Sequence, residues 1–250
     1  MTDLIGKRIL VTGASSGIGK AISQHAASLG ASLMLFGRDI ERLKETYNSL
    51  QGKDHECYSV DVTDYPQVEN IIHSSVANRG PISGFVHSAG IEKTIPFKAS
   101  TPKIFKEVFE INVFAGFEIA RIISQKKIVN PNGASFIYIS SVMGRIGEPG
   151  KIIYCSSKSA LLSGIKAMAL EFAPKKIRCN CILPGIVQTK MVEILFDSIP
   201  PEAKDKIIGK HPLGLGTPED VAALVTFLLS DQAKWITGSE YIIDGGYSAQ

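Results

Sequence analysis

Cysteine is scarce in this sequence, four residues in 250, and none of the four falls in a Cys-x-x-Cys pair. Cys179 and Cys181 stand two apart with no histidine at ligand spacing beside them, which argues against a structural metal site. Cys57 and Cys155 are isolated, and a chain this long has enough core to stand without disulfides, so a reduced, cytoplasmic protein is the simplest reading. An excess of charge of one sign is also missing. The 27 basic and 24 acidic residues leave a net +3, too little to argue for a nucleic acid or a membrane surface as partner. No apolar run approaches the ~18 residues of a spanning helix. Met1 to Gly6 shows no basic segment leading into an apolar stretch, so no secretory leader is expected. Internal repeats, low-complexity tracts and linkers are absent as well. With 44% hydrophobic and 20% charged residues, the composition is that of a globular protein, and one domain over residues 1–250 is expected.

What the sequence does contain is alternation. Short apolar runs at Arg8–Thr12, Ser32–Phe36, Cys57–Val60, Gly84–Val86, Ser135–Ile139, Ile177–Leu183 and Tyr241–Ile243 read as strands. Segments of helical spacing separate them, among them Gly17–Leu29 and Ile40–Leu50. Apolar strands joined through helices need crossover connections, which means an α/β fold, a doubly wound parallel sheet with helices on both faces. The least regular stretch, 188–215, carries Pro200, Pro201 and Pro212. It follows the sixth strand and reads as a lid at the carboxyl edge of the sheet.

The first strand runs into Thr12-Gly13-Ala14-Ser15-Ser16-Gly17-Ile18-Gly19 and then into the first helix. Gly13 permits a tight turn, while Gly17 and Gly19 allow close approach of a ligand and of helix to sheet. Exposed N–H groups and the helix dipole there favour a pyrophosphate, so a dinucleotide is expected. Taken alone, three glycines are equally compatible with an ordinary turn. About 20 residues further on, an acid would bind a ribose 2′-hydroxyl and an arginine a 2′-phosphate. The second strand ends Phe36-Gly37-Arg38-Asp39 and offers both. Asp39 is a good N-cap for the following helix, whereas Arg38 has no equally good structural task beyond solvation. The cofactor reading is therefore NADP, with NAD possible.

Tyr154 and Lys158 lie four apart on one helix face, a spacing that is weak evidence by itself. Ser141 stands thirteen residues earlier at the end of the fifth strand, and Asn112 lies in the preceding helical segment. With these the sequence resembles the short-chain dehydrogenase/reductase family over nearly its whole length. The resemblance rests on the Thr12–Gly19 turn, Asp61-Val62 after the third strand, Asn112, Ser141, Tyr154 with Lys158, Pro184-Gly185 and Asp244-Gly245-Gly246.

It implies a single-domain Rossmann fold with seven parallel strands in the order 3-2-1-4-5-6-7, and a homotetramer pairing through the helices that carry Asn112 and Tyr154. Tyr154 would be the proton donor, acidified by Lys158. Ser141 would donate to the substrate oxygen, and Asn112 would hold a water linking Lys158 to solvent. Gly13, Ser15, Ser16, Gly17, Ile18 and Gly19 would cradle the cofactor, with Asp61 and Val62 at adenine. Val187 and Thr189, after Pro184 and Gly185, would grip the carboxamide and phosphates, and Lys158 the nicotinamide ribose. For Asp61 a capping role before Thr63 and Asp64 is an equal alternative.

Two departures stand out. The family's Asn-Asn-Ala-Gly reads His87-Ser88-Ala89-Gly90, where Ser88 is compatible with backbone contact to the cofactor and His87 is read as a structural substitute. Position 16 is serine where many NADP-using members carry a basic residue, which leaves Arg38 alone at the phosphate. Within the family the length and the C-terminal Ile236-Thr237-Gly238 most resemble 3-oxoacyl-[acyl-carrier-protein] reductases of fatty acid metabolism. Lys126-Lys127 and Lys175-Lys176 would then face an acidic carrier protein, or they are solvated lysines at helix ends. A sugar, steroid or polyol dehydrogenase shares every motif, and a catalytically silent cofactor-binding regulator is the alternative of another class.

Overall fold

The computed structural model describes residues 3–197 and 199–249, and at 191 and 195 the backbone alone. Met1 and Thr2, on which the leader expectation partly rests, lie outside the described residues. The strands are β1 (Arg8–Thr12), β2 (Ser32–Gly37), β3 (Glu56–Ser59), β4 (Gly84–His87), β5 (Ala134–Ile139), β6 (Ile177–Pro184) and β7 (Glu240–Ile243). The helices are α1 (Gly17–Ser28), α2 (Ile40–Asn48), α3 (Tyr65–Arg79), α4 (Pro102–Phe109), α5 (Ala115–Ile123), α6 (Ile152–Phe172), α7 (Lys190–Asp197), α8 (Pro201–Gly209) and α9 (Pro218–Leu229). The seven strands form one sheet in the order β3-β2-β1-β4-β5-β6-β7, and every neighbouring pair is parallel.

Successive residues of a strand point to opposite faces, and here both faces are apolar. Leu10, Met34, Phe36, Phe85, Phe136 and Tyr138 pack with α3, α5 and α6 on one side. Ile9, Val11, Leu33, Leu35, Val86 and Ile137 pack with α1 and α9 on the other. Both clusters exclude water almost completely, so the central strands are rigid, and what hangs from their carboxyl ends is held in place. Asp39 caps α2 through Arg42 N–H at 3.1 Å, and Asp64 caps α3 through Gln67 N–H at 3.1 Å. Thr217 and Asp220 form a capping box on α9.

The stretch 188–215 differs from the irregular one expected. It is largely helical, α7 followed by α8, and Pro201 occupies the first helical turn of α8 rather than breaking it. These helices stand on a two-stranded neck where Val187 pairs with Gly216, Gln188 N–H donating to Gly216 O at 2.8 Å. Among the described residues no helix is long and apolar enough to cross a membrane.

Candidate active site

At the end of β1 the chain turns through Gly13, whose φ of +66° is left-handed backbone and whose missing Cβ would lie 2.8 Å from Ala89 N. A Cβ on Gly19 would collide with the carbonyl oxygen of Gly13, so two glycines let α1 start directly against the turn. The N-cap of α1, Ser16, is extended and its side chain makes no capping bond, in contrast to the capped starts of α2, α3 and α9. No acidic residue stands in the first turn of α1 either. The unfilled N–H groups and the positive end of the dipole open onto a cleft of about 490 Å³. A glycine cradle and an uncapped helix start fit the pyrophosphate of a dinucleotide.

The residues read from the sequence converge on that one cleft. Gly13, Ser15, Ser16, Gly17, Ile18, Gly19, Arg38, Asp61, Val62, Ser88, Ala89, Gly90, Ser141, Tyr154, Lys158, Pro184, Gly185, Val187 and Thr189 all line it. Asn112 does not line it and stands behind the wall. At the adenosine end Arg38 and Arg42 both reach the cleft, and neither guanidinium has an ion-pair partner among the described residues. Arg42 was not singled out from the sequence; its position four residues after Arg38, in the first turn of α2, is the signal that would have found it. Asp39 accepts the Arg42 N–H as a helix cap. Asp61 accepts from both the N–H and the hydroxyl of Thr63, at 3.0 and 2.8 Å. Burial works against its charge, yet these bonds and the nearby Arg38 hold the carboxyl below its usual range. The capping role and the place in the cleft coexist.

Ser141, just beyond β5, starts a short turn over Val142–Gly144 and accepts the Met143 N–H at 3.2 Å. Its own proton is thereby free to point into the cleft. Tyr154 is half-buried in the first turn of α6, and Lys158 one turn on is almost wholly buried. Burial pushes the Tyr154 phenol up to about 12, with a hydrogen bond to Ser141 pulling it down and the charges of Glu92 and Cys155 adding to the rise. Burial pulls the Lys158 ammonium down to about 8. The Lys158 head donates to the Ile139 carbonyl at 2.8 Å and lies 5.6 Å from the centre of the Tyr154 ring.

Asn112 sits in a wide π-turn, Glu110–Phe114, between α4 and α5. Its side chain is fully used: Oδ1 accepts Ile91 N–H at 2.8 Å, and Nδ2 donates to Ile91 O and Ser157 Oγ, each at 3.0 Å. The Ser157 hydroxyl in turn donates to the Tyr154 carbonyl at 2.8 Å. Asn112 thus staples the segment after β4 to the helix bearing Tyr154 and Lys158.

His87 has a structural task. Thr12 Oγ1 already accepts N–H bonds from Ser88 and Ala89, at 3.2 and 3.1 Å, so its proton goes to His87 Nδ1 at 3.0 Å. Nε2 then carries the ring proton and donates to Ile111 O at 3.1 Å, a carbonyl of the π-turn. Burial and the Lys158 charge lower the imidazole to about 4, consistent with a neutral ring. The lysine pairs lie elsewhere. Lys126, Lys127, Lys175 and Lys176 precede β5 and β6, at the sheet edge opposite the cleft, and Lys175 is tied to Ser124 O at 3.1 Å. A carrier protein docked there would be remote from Ser141 and Tyr154, so that expectation is corrected.

Comparison with known proteins agrees with this geometry. The family model described as enoyl-(acyl carrier protein) reductase matches residues 13–248. The 3-oxoacyl-[acyl-carrier-protein] reductase of Thermotoga maritima is 33% identical over 247 residues, covering 97% of this chain and 98% of that protein. That of Rickettsia felis is 36% identical over 248 residues, covering 98% of each. Among solved structures, a 7α-hydroxysteroid dehydrogenase complexed with NADH and 7-oxo glycochenodeoxycholic acid superposes with a TM-score of 0.91 at 27% identity, covering 98% of this chain and 95% of that one.

Proposed function

The chain belongs to the short-chain dehydrogenase/reductase family of oxidoreductases acting on CH–OH groups, and we propose that it reduces the ketone of a 3-oxoacyl thioester to a secondary alcohol with NADPH. The observation that carries the reading is the meeting of the Ser141 hydroxyl, the Tyr154 phenol and the Lys158 ammonium in the cleft that the glycine turn opens. The substrate class is supported by relatives matched along nearly their full length that are named for 3-oxoacyl reduction.

When bound, the reduced nicotinamide supplies the hydride. The residues of this chain hold the substrate oxygen and manage one proton. Ser141 donates to that oxygen, where negative charge develops as the carbonyl is reduced. Tyr154, with its phenol raised by burial, is fully protonated at neutral pH and passes its proton to the far more basic alkoxide. The phenolate left behind is stabilised by the neighbouring Lys158. Lys158, lowered to about 8, exchanges protons with solvent near neutrality and restores the phenol. Asn112 serves as a positioning residue and, as the family resemblance implies, holds a water that links Lys158 to solvent.

The uncapped start of α1 takes the pyrophosphate, Asp61 and Val62 the adenine, and Ser88, Ala89, Gly90 and Lys158 the nicotinamide side. Pro184, Gly185, Val187 and Thr189 close over the carboxamide. Arg38 and Arg42 favour a 2′-phosphate, hence NADP over NAD, since Asp39 is committed to capping α2. The four free cysteines fit the reducing cytoplasm, and we assign a homotetramer.

The test is NADPH oxidation with a 3-oxobutanoyl thioester, beside a panel of sugar, steroid and polyol carbonyls. Tyr154→Phe is expected to lower kcat by about 10²–10⁴-fold with NADPH affinity unchanged. Turnover of the panel but not of the thioester would move the substrate class, and full activity in Tyr154→Phe would remove the phenol from the chemistry. Tight NADPH binding with no turnover anywhere would point to a regulator.

A further inference from the structure

Lys151 immediately precedes α6 and stands three residues before Tyr154, so the two side chains share one side of the first helical turn, and both line the cleft. Its head is held from across the cleft wall. Nζ donates to Glu92 Oε1 at 2.9 Å and to Thr94 Oγ1 at 3.1 Å, and the Thr94 hydroxyl bonds to that same Glu92 oxygen. A backbone bond from Ile95 N–H to Gly150 O, 2.9 Å, locks the two loops together. The pair is sheltered, its side chains keeping 15% and 20% of their exposure. Glu148 Oε2 lies 3.9 Å from the ammonium, near enough for charge but beyond hydrogen-bond distance.

An ammonium has three N–H donors. Two are committed, and among the described residues the third has no protein acceptor within hydrogen-bond distance. A mere latch between loops is served as well by neutral side chains, without the desolvation cost of two sheltered charges. A fixed, part-desolvated donor one helical turn from the proton-donating phenol is a recognition element for whatever is attached next to the reacting carbonyl. Beside the Lys151 ammonium stand two carboxylates, Glu92 and Glu148, so the immediate neighbours of its third N–H disfavour a further carboxylate and accept an uncharged oxygen.

We infer that Lys151 is the specificity-determining residue of the reaction, donating its third N–H to a second, uncharged oxygen close to the carbonyl being reduced. On the proposed function, on which this inference rests, that oxygen is the thioester carbonyl. A free 3-oxo acid is rejected. Glu92 and Thr94 are positioning residues that aim the ammonium.

The experiment compares the wild type, Lys151→Met and Lys151→Arg on a 3-oxobutanoyl thioester and on a mono-ketone of equal length that lacks the second oxygen, with NADPH. Lys151→Met is expected to lower kcat/KM about 10- to 100-fold on the thioester and less than about threefold on the mono-ketone, and Lys151→Arg to recover most of the loss. Equal losses on both compounds, or none on the thioester, overturn the inference. Should Lys151→Met not fold, Glu92→Gln is read instead. It removes one negative charge from the wall, so kcat/KM for free 3-oxobutanoate must rise relative to the thioester, and an unchanged ratio overturns the inference.

Reduction of other carbonyls but no 3-oxoacyl thioester by the wild type would sink the proposed function separately. Lys151 is then judged on α-hydroxy ketones against their deoxy counterparts, with equal losses again decisive against it. Calorimetric titration of the NADP⁺-bound protein with the 3-hydroxybutanoyl thioester makes the same comparison without turnover. Affinity unchanged by Lys151→Met overturns the inference.

Discussion

His87 is buried at the end of β4 with both ring nitrogens engaged, Nδ1 by the Thr12 hydroxyl and Nε2 by the Ile111 carbonyl. It joins the glycine turn, the central strand and the π-turn that carries Asn112, so the histidine has a structural task at this place. The neutral ring has a consequence for stability. Its titration falls from 6.5 to about 4 on folding, so between those values the unfolded chain binds a proton that the native protein refuses. Stability is full above pH 6.5 and drains away as the pH falls towards 4, by about 3 kcal/mol at most. Urea unfolding followed from pH 7 to 4.5 is expected to show this loss in the wild type. His87→Asn, which keeps a donor and an acceptor in place, is expected to lose less. Parallel pH slopes in the two proteins would exclude the buried imidazole as the source. Glu56 and Glu240, both held below the usual carboxylate range, also cost stability in acid, so the difference between the two proteins is the quantity to read.

The junction of β2 and α2 shows how an element, rather than a residue, makes a site. Arg38 leaves the strand end and Arg42 rises from the first helical turn, and the Asp39 cap holds that turn in register with the sheet. Two exposed guanidinium groups on one rim suit the dianionic 2′-phosphate far better than a bare hydroxyl. Arg38→Ala and Arg42→Ala are each expected to weaken NADPH binding about 10-fold or more while leaving NADH within about twofold, as measured by fluorescence titration. Equal losses for the two coenzymes would assign the arginines to the fold.

Elements of this kind differ in how far the sequence discloses them. The strands are legible nearly to the residue, because runs such as Ile9-Leu10-Val11 must be apolar on both faces of a buried parallel sheet. Helices α7 and α8 are not. Much of α7 and α8 lies exposed, so burial imposes no clear period, and Pro200-Pro201 looks like an interruption until its place at a helix start is seen. The same holds within the site. The glycine turn and the Tyr154–Lys158 face are local patterns and can be read. The Lys151–Glu92 pair joins residues 59 apart, and the π-turn at Asn112 depends on packing against α6, so neither leaves a local trace.

At the scale of the whole molecule, two of the faces that expose large apolar side chains among the described residues lie on packed elements of the fold. On one, Phe114 is 49% exposed beside Tyr65, Phe117 and Arg121, in a crevice along α3 and α5. On the other, the edge strand β7 leaves Ile242 open, and near it the end of α6 and the turn before β7 expose Leu170 at 80% and Trp235 at 97%. These two segments adjoin, since Gly238 lies against Ala169, and the Lys166–Glu240 ion pair at 2.6 Å ties α6 to β7. An open edge strand and large apolar side chains at full exposure are costly on a monomer and are relieved by a second copy. One face used isologously gives a dimer. Two distinct faces used so, each with its own dyad, close at four copies when the dyads intersect at right angles. Light scattering at micromolar concentration is therefore expected to give four times the 27.0 kDa of the chain. The paired substitution Leu170→Glu with Trp235→Glu disables one dyad and is expected to give dimers, Phe114→Glu dimers of the other kind, and all three together monomers. A monomeric wild type would show that these faces serve another purpose. A tetramer untouched by either set of charges would place the contacts elsewhere on the surface.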